Sequence, residues 1–145
     1  MKRIVLYVVI LAAMLAMPVE RTDVGKLRPI ETVSISKNGD WTILRTDTED
    51  MGVGKTVQEA LENMKATTPG VVYLDTAAFL LVAEDAQDSI KDLCRVLRKN
   101  VKLCIADGEI DPVKATEYLS ARDDLPKLKH WKEGVQLPVL EQVDR

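Results

Sequence analysis

The chain is poor in the residues that usually announce chemistry. Its 145 residues include one histidine, one phenylalanine and two cysteines, and aromatics make up 4%. His130 has no second histidine and no cysteine close in sequence, so no metal-ligand spacing can be assembled around it. Two cysteines, Cys94 and Cys104, are too few for a disulfide framework. Both fall on apolar faces of expected elements, which points to buried free thiols. A net charge of −3 argues against nucleic acid as a partner, and no basic stripe with interleaved aromatics is present. No serine stands in a Gly-x-Ser-x-Gly elbow. Internal repeats and low-complexity tracts are also missing.

What is present starts with Met1-Lys2-Arg3, an unbroken apolar run from Ile4 to Met17, and Pro18. A basic start, a short apolar segment and a sharp stop make a secretory signal. The run is shorter than the roughly 20 residues of a spanning helix, which favours a signal peptide. A cut after Ala16, however, would place Met14 where a small residue is preferred. An uncleaved signal-anchor, with membrane association through residues 4–17, stays open. Either way the chain is expected to be exported, and so to be extracytoplasmic, membrane-associated or secreted. Export leaves ATP and NAD behind in the cytosol, and no cofactor is expected. Without Lys2 and Arg3 the net charge falls by two, from −3 to −5.

Residues 20–123 read as one small α/β (α+β) domain: a mixed sheet with an N-terminal β-hairpin and two to three helices. Thr32 to Ser36 alternates with the period of a half-buried strand. Asn38-Gly39 then leads to Trp41-Thr42-Ile43-Leu44, a hairpin signal. Centring a type I′ turn on Asn38-Gly39 pairs Lys37 with Asp40, Ile35 with Thr42 and Val33 with Leu44, and puts Val33, Ile35 and Leu44 on the core face. Thr46 to Lys55 reads as a polar loop. Thr56 and Glu59 form a capping box for a helix that buries Val57, Ala60, Leu61 and Met64. Ala77 to Ala83 has little alternation and suits a strand covered on both faces. A second helix, opened by Glu84 and Asp85, carries Ile90, Leu93, Cys94 and Leu97 as its stripe. Val101 to Ala106 is a strand parallel to the one before it. Asp111 caps a third helix with Pro112 in its first turn and Ala115, Tyr118 and Leu119 as its apolar side. Residues 124–145 read as a charged tail with an edge strand at Leu137 to Leu140, and Trp131 as a tail-packing group.

Each constellation that suggests chemistry has a simpler reading. Gly52-Val53-Gly54-Lys55-Thr56 resembles a phosphate loop, but Glu49 occupies the place of the first glycine. Asp47, Glu49 and Asp50 break the order of a calcium loop after two matches. Glu84, Asp85 and Asp88 start a helix. Asp107, Glu109 and Asp111 are a turn and a cap. Cys94 sits mid-stripe, where burial makes a thiol inert. No catalytic, cofactor-binding or metal residues are assigned. A cluster of Asp47, Asp75 and Asp107 around one pocket would point instead to a small extracytoplasmic enzyme.

Several stretches resemble the N-terminal domain of the Ger(x)C proteins, the C subunits of bacterial spore germinant receptors. Glu20 to Leu27 is similar to the charged opening that follows the lipid-bearing cysteine there. Val33 to Ser36 resembles the first strand. Gly54 to Leu61 resembles the Thr-x-x-Glu-Ala-Leu helix start. Val72 to Thr76 and Phe79 to Ala86 resemble a strand lead-in and an apolar strand ending at a Glu-rich helix. Ile105 to Gly108 resembles the strand–Gly–helix end. The similarity covers about residues 20–122. The family's lipid-attachment cysteine is absent, its lead-in histidine is replaced by Thr76 or a neighbour, and its later domains have no counterpart. The resemblance implies a non-enzymatic, membrane-associated accessory or interaction domain acting in sporulation or germination, with other receptor subunits as partners. A secreted binding module of unrelated role, using residues 46–52 or the sheet face, is the alternative.

Overall fold

A computed structural model describes residues 1–16 and 27–141. Met17, Pro18, the charged opening Glu20 to Lys26 and the last four residues of the expected tail lie outside that description. The elements run α1 (Lys2–Ala16), β1 (Leu27–Pro29), β2 (Thr32–Asn38), β3 (Trp41–Thr46), β4 (Met51–Gly54), α2 (Val57–Thr67), β5 (Val71–Tyr73), β6 (Phe79–Ala83), α3 (Ile90–Leu93), β7 (Lys102–Ala106), α4 (Pro112–Ser120) and β8 (Val139–Leu140). Six strands form one mixed sheet in the order β4-β3-β2-β6-β7-β8, and β1 pairs with β5 in a separate two-stranded ribbon. The α/β expectation holds.

Strand β6 organises the layers. Phe79, Leu80, Leu81 and Val82 are all buried. Because side chains alternate along a strand, Leu80 and Val82 point to one face and Phe79 and Leu81 to the other. The first face meets Val33, Ile35 and Leu44 of the hairpin, the buried stripe of α2, and Ile90 and Leu93. The second meets Cys104, Ala115, Leu119 and Leu125. The helix connections therefore cover both faces, as a parallel strand apolar on both sides requires. Both parallel neighbours of β6, β2 and β7, are in register with it over at least four residues.

The hairpin turn sits one residue later than expected. Asn38 and Trp41 close it, with Gly39 and Asp40 at the centre. Gly39 has φ +61, and among the described non-glycine residues only Glu49 has a positive φ. A turn with glycine first needs positive φ at that one position, whereas centring on Asn38-Gly39 would demand it of Asn38 as well. Ile35 consequently faces Leu44, and Val33 faces Thr46. The register moves by two residues, so every side chain keeps its face and Val33, Ile35 and Leu44 are buried as expected. The expected Lys37–Asp40 pair is not made. Lys37 Nζ instead reaches Asp88 at 2.7 Å.

The supposed loop before α2 contains strand β4, antiparallel to β3. Two glycines in four residues hide it, since glycine is depleted in strands. Their role is steric. A Cβ on Gly52 would lie 2.0 Å from the Ala60 carbonyl oxygen, and one on Gly54 would lie 2.4 Å from the Ala60 nitrogen. Helix α2 therefore rests on the bare backbone of β4. It also shields that sheet edge, because Asn63 Oδ1 accepts from the Val53 N–H at 3.0 Å. Thr56 caps α2 through the Glu59 N–H, while Glu59 Oε2 accepts from Lys55 N, one residue before the reciprocal position of a strict capping box.

The second expected helix is broken up. Glu84–Ser89 is a 3₁₀ segment, α3 is a single turn, and Cys94 to Leu97 continues as turns. Ala86 and Ser89, three residues apart, are both buried, which is the period of a 3₁₀ coil. Asp85, Asp88 and Ser89 also have weak helix propensity. The stripe residues Ile90, Leu93 and Leu97 are buried all the same, and Cys94 is half-buried. In α4, Asp111 caps the Val113 N–H as expected. The buried stripe is Pro112, Ala115 and Leu119, and Tyr118 is half exposed, because Thr116 takes the sheet-facing place and bonds Thr32 at 2.7 Å. After Asp124 the chain packs on the sheet. Leu125, Leu128 and Leu137 are buried, Trp131 packs against the first core, and β8 lies parallel to β7.

The glycine contact gives a direct test. Gly52→Ala should lose about 3 kcal/mol in urea unfolding, since overpacking against rigid backbone cannot relax. Gly39→Ala meets no neighbour within 4 Å and should lose only the ~1 kcal/mol of a left-handed backbone.

Candidate functional site

The register of the sheet makes a groove at the carboxyl ends of its parallel strands. Ser36 lies opposite Ile43. One residue beyond the Ile35–Val82 pair, Ser36 is level with Ala83. Ala83 lies opposite Ala106, and Ala106 opposite Leu140. Three small side chains on three adjacent central strands thus stand between two large ones. Helix α4 covers the lower half of the same face, through Leu81 and Cys104; of the row itself Ala106 is buried in that second core, while Ser36 and Ala83 are half-buried. The result is a groove of about 500 Å³, lined also by Arg45, Gly108 and Glu109. Open α/β sheets place their ligand sites at this end.

The groove has both signs of charge. Arg45 Nη1 bonds Glu109 Oε1 at 2.8 Å and ties β3 to the loop after β7. Lys37 is paired with Asp88. Glu84 and Asp85 stand at the end of β6 along the rim. The Ser36 hydroxyl lies on the floor, and Ser34, opposite Arg45, adds a second one. Hydroxyls, carboxylates and one guanidinium supply donors and acceptors for recognition. No imidazole or thiol lines this groove. Exposed His130 belongs to the 3₁₀ turn Leu128–His130, whose Leu128 N–H bonds Val101 just before β7, at the opposite end of the sheet.

The acidic groups singled out from sequence have structural partners. Asp47 Oδ1 accepts from the Glu31 and Thr32 N–H groups, and Asp50 accepts from the Thr48 hydroxyl. These bonds shape the β3–β4 turn, where Glu49 takes φ +65. Asp75 lies 3.9 Å from Arg98. Asp75 precedes β6, whereas Asp107 follows the parallel strand β7, so Asp47, Asp75 and Asp107 do not surround one pocket. Among the described residues no group of three His, Cys, Asp or Glu is placed to hold a metal ion. The Gly52–Gly54 segment is strand backbone packed under α2, with no room for a phosphate.

Both cysteines are free and lie on opposite faces of the sheet, Cys94 against the first core and Cys104 within the second. Burial pushes both thiols above the ordinary range. Asp88 is lowered, first by its hydrogen bond to Lys37.

Comparison with protein-family models, with curated proteins and with solved structures yields no match.

Nothing in the sequence marked the groove. Ser36, Ala83 and Ala106 are ordinary small residues until the register aligns them.

These environments lead to two expected outcomes. A thiol reagent at neutral pH should leave Cys104 unmodified until denaturant is added, and a reductant should not shift the Tm. Asp88→Asn should cost about 0.5 kcal/mol or less at pH 7, because the carboxylate is largely exposed and its pair with Lys37 is screened by solvent. The lowered pKa means that this contribution is complete above the ordinary carboxylate range. It is lost as pH falls through the depressed value, so the two proteins should converge in acid.

Proposed function

We propose that the chain is an exported, non-catalytic interaction domain related in role to the C subunits of spore germinant receptors, with the groove over Ser36, Ala83 and Ala106 as its contact surface. The groove carries the reading. It is an open recess with charged walls and a hydroxyl-bearing floor, suited to holding a partner segment. The Ger(x)C-like stretches support it, because they fall on β2, the start of α2, β6 and the β7–α4 connection, the elements that build both cores and the groove. The basic and apolar opening of the chain supports export. Partners would then be membrane subunits of the same kind of receptor.

A complementation experiment tests this. Deleting the gene in a spore-forming host should slow or block germination, and the wild-type gene should restore it. Ala83 is half-buried and touches the first core, so Ala83→Trp is first checked for wild-type accumulation and Tm; folded, it should fill the recess and fail to complement. A deletion without effect on sporulation or germination would remove the reading. A complementing Ala83→Trp would move the contact surface elsewhere.

A further inference from the structure

We propose that helix α1 stays on the exported chain and seats in a lipid bilayer, as a retained anchor rather than a leader that is cut away. This deepens the export reading above and rests on it.

Two observations converge. The first is the surface of the helix. Lys2–Ala16 is one continuous helix of 15 residues with no buried side chain. Its large apolar residues from Ile4 to Leu15 are between 47% and 80% exposed, on every side of the cylinder. A helix that lies in a membrane surface keeps one polar face, and a core helix buries a stripe. An all-round apolar helix that buries no side chain against the described domain fits the hydrocarbon interior. Lys2 and Arg3 stand at one end with no acidic residue in the helix, and suit anionic headgroups.

The second observation is that the cutting pattern is missing. Signal cleavage needs small residues at the first and third places before the cut. From Ile10 to Gly25 no two small residues stand two apart: Ala12 is followed so by Met14, Ala13 by Leu15 and Ala16 by Pro18. Helix α1 also includes Met14, Leu15 and Ala16, so the residues just before a cut after Ala16 are helical.

The helix is short for this task. Fifteen residues span about 22 Å, against roughly 30 Å of hydrocarbon. Among the described residues no helix is long and apolar enough to cross a membrane. Lys2 and Arg3 can extend their charged tips to the interface over apolar stems, and the bilayer thins around a short insert. The anchor is therefore expected to be shallow, and sensitive to one charge placed mid-helix.

The experiment uses the full chain made in a bacterial host, with membranes washed in alkaline carbonate and the protein weighed intact. The wild type should retain residues 1–16 and stay in the washed membrane pellet. Met14→Ala places a small residue two before Ala16. It should lose residues 1–16 and appear in the soluble extracytoplasmic fraction. Val8→Glu should keep full mass and wash off. A wild-type mass lacking residues 1–16 overturns the proposal, and so does an intact wild type released by carbonate. Mass and extraction report on the anchor alone, whatever the germination phenotype.

Discussion

A strand with two apolar faces has to be covered twice, and Phe79 to Val82 imposes that condition on the whole domain. Four consecutive buried side chains, each contributing about 1.5–3 kcal/mol when fully removed from water, make β6 a strongly driven element. The hairpin and β7 pair to its flanks. Helices α2 and α3 cover one face, and α4, with Leu125, covers the other. The segment after Asp124 is drawn in for the same reason, since Leu128 and Leu137 complete the first core.

The groove follows from how far that second cover reaches. Helix α4 buries only Pro112, Ala115 and Leu119 and is nine residues long. It seals Phe79 and Leu81 and stops short of the strand ends. There the sheet presents the half-buried Ser36 and Ala83 beside Ala106, whose small side chain the second core already covers. Recess and core are thus two ends of one face, divided where the side chains change from large to small. The Arg45–Glu109 pair closes part of the wall, and a partner bringing its own charge would compete for it on nearly equal terms, because exposed pairs are weak.

Much of the fold was legible locally. Thr56 and Asp111 marked their helices because capping is a contact between near neighbours. The both-faces strand was visible as an uninterrupted apolar run. The failures are equally physical. Strand β4 was concealed because Gly52 and Gly54 answer to a helix backbone that reaches them only in the folded chain. The helix expected after Glu84 became a 3₁₀ segment and a single α turn because it must fit Ala86, Ser89 and Ile90 onto a sheet whose position the sequence does not reveal. Tyr118 fell on the wrong side because Thr116 found a hydroxyl partner 84 residues away.

Periodicity, caps and turn residues, each acting over a few positions, determined by themselves that this chain would build a mixed α/β domain with a strand covered on both faces, behind a basic and apolar opening. Only the tertiary structure decided the register between distant strands, the bare-backbone seat of α2 and the alignment of three small residues into a recess. These depend on which residues meet across the sheet, and a one-residue difference in pairing would have turned every side chain to the other face.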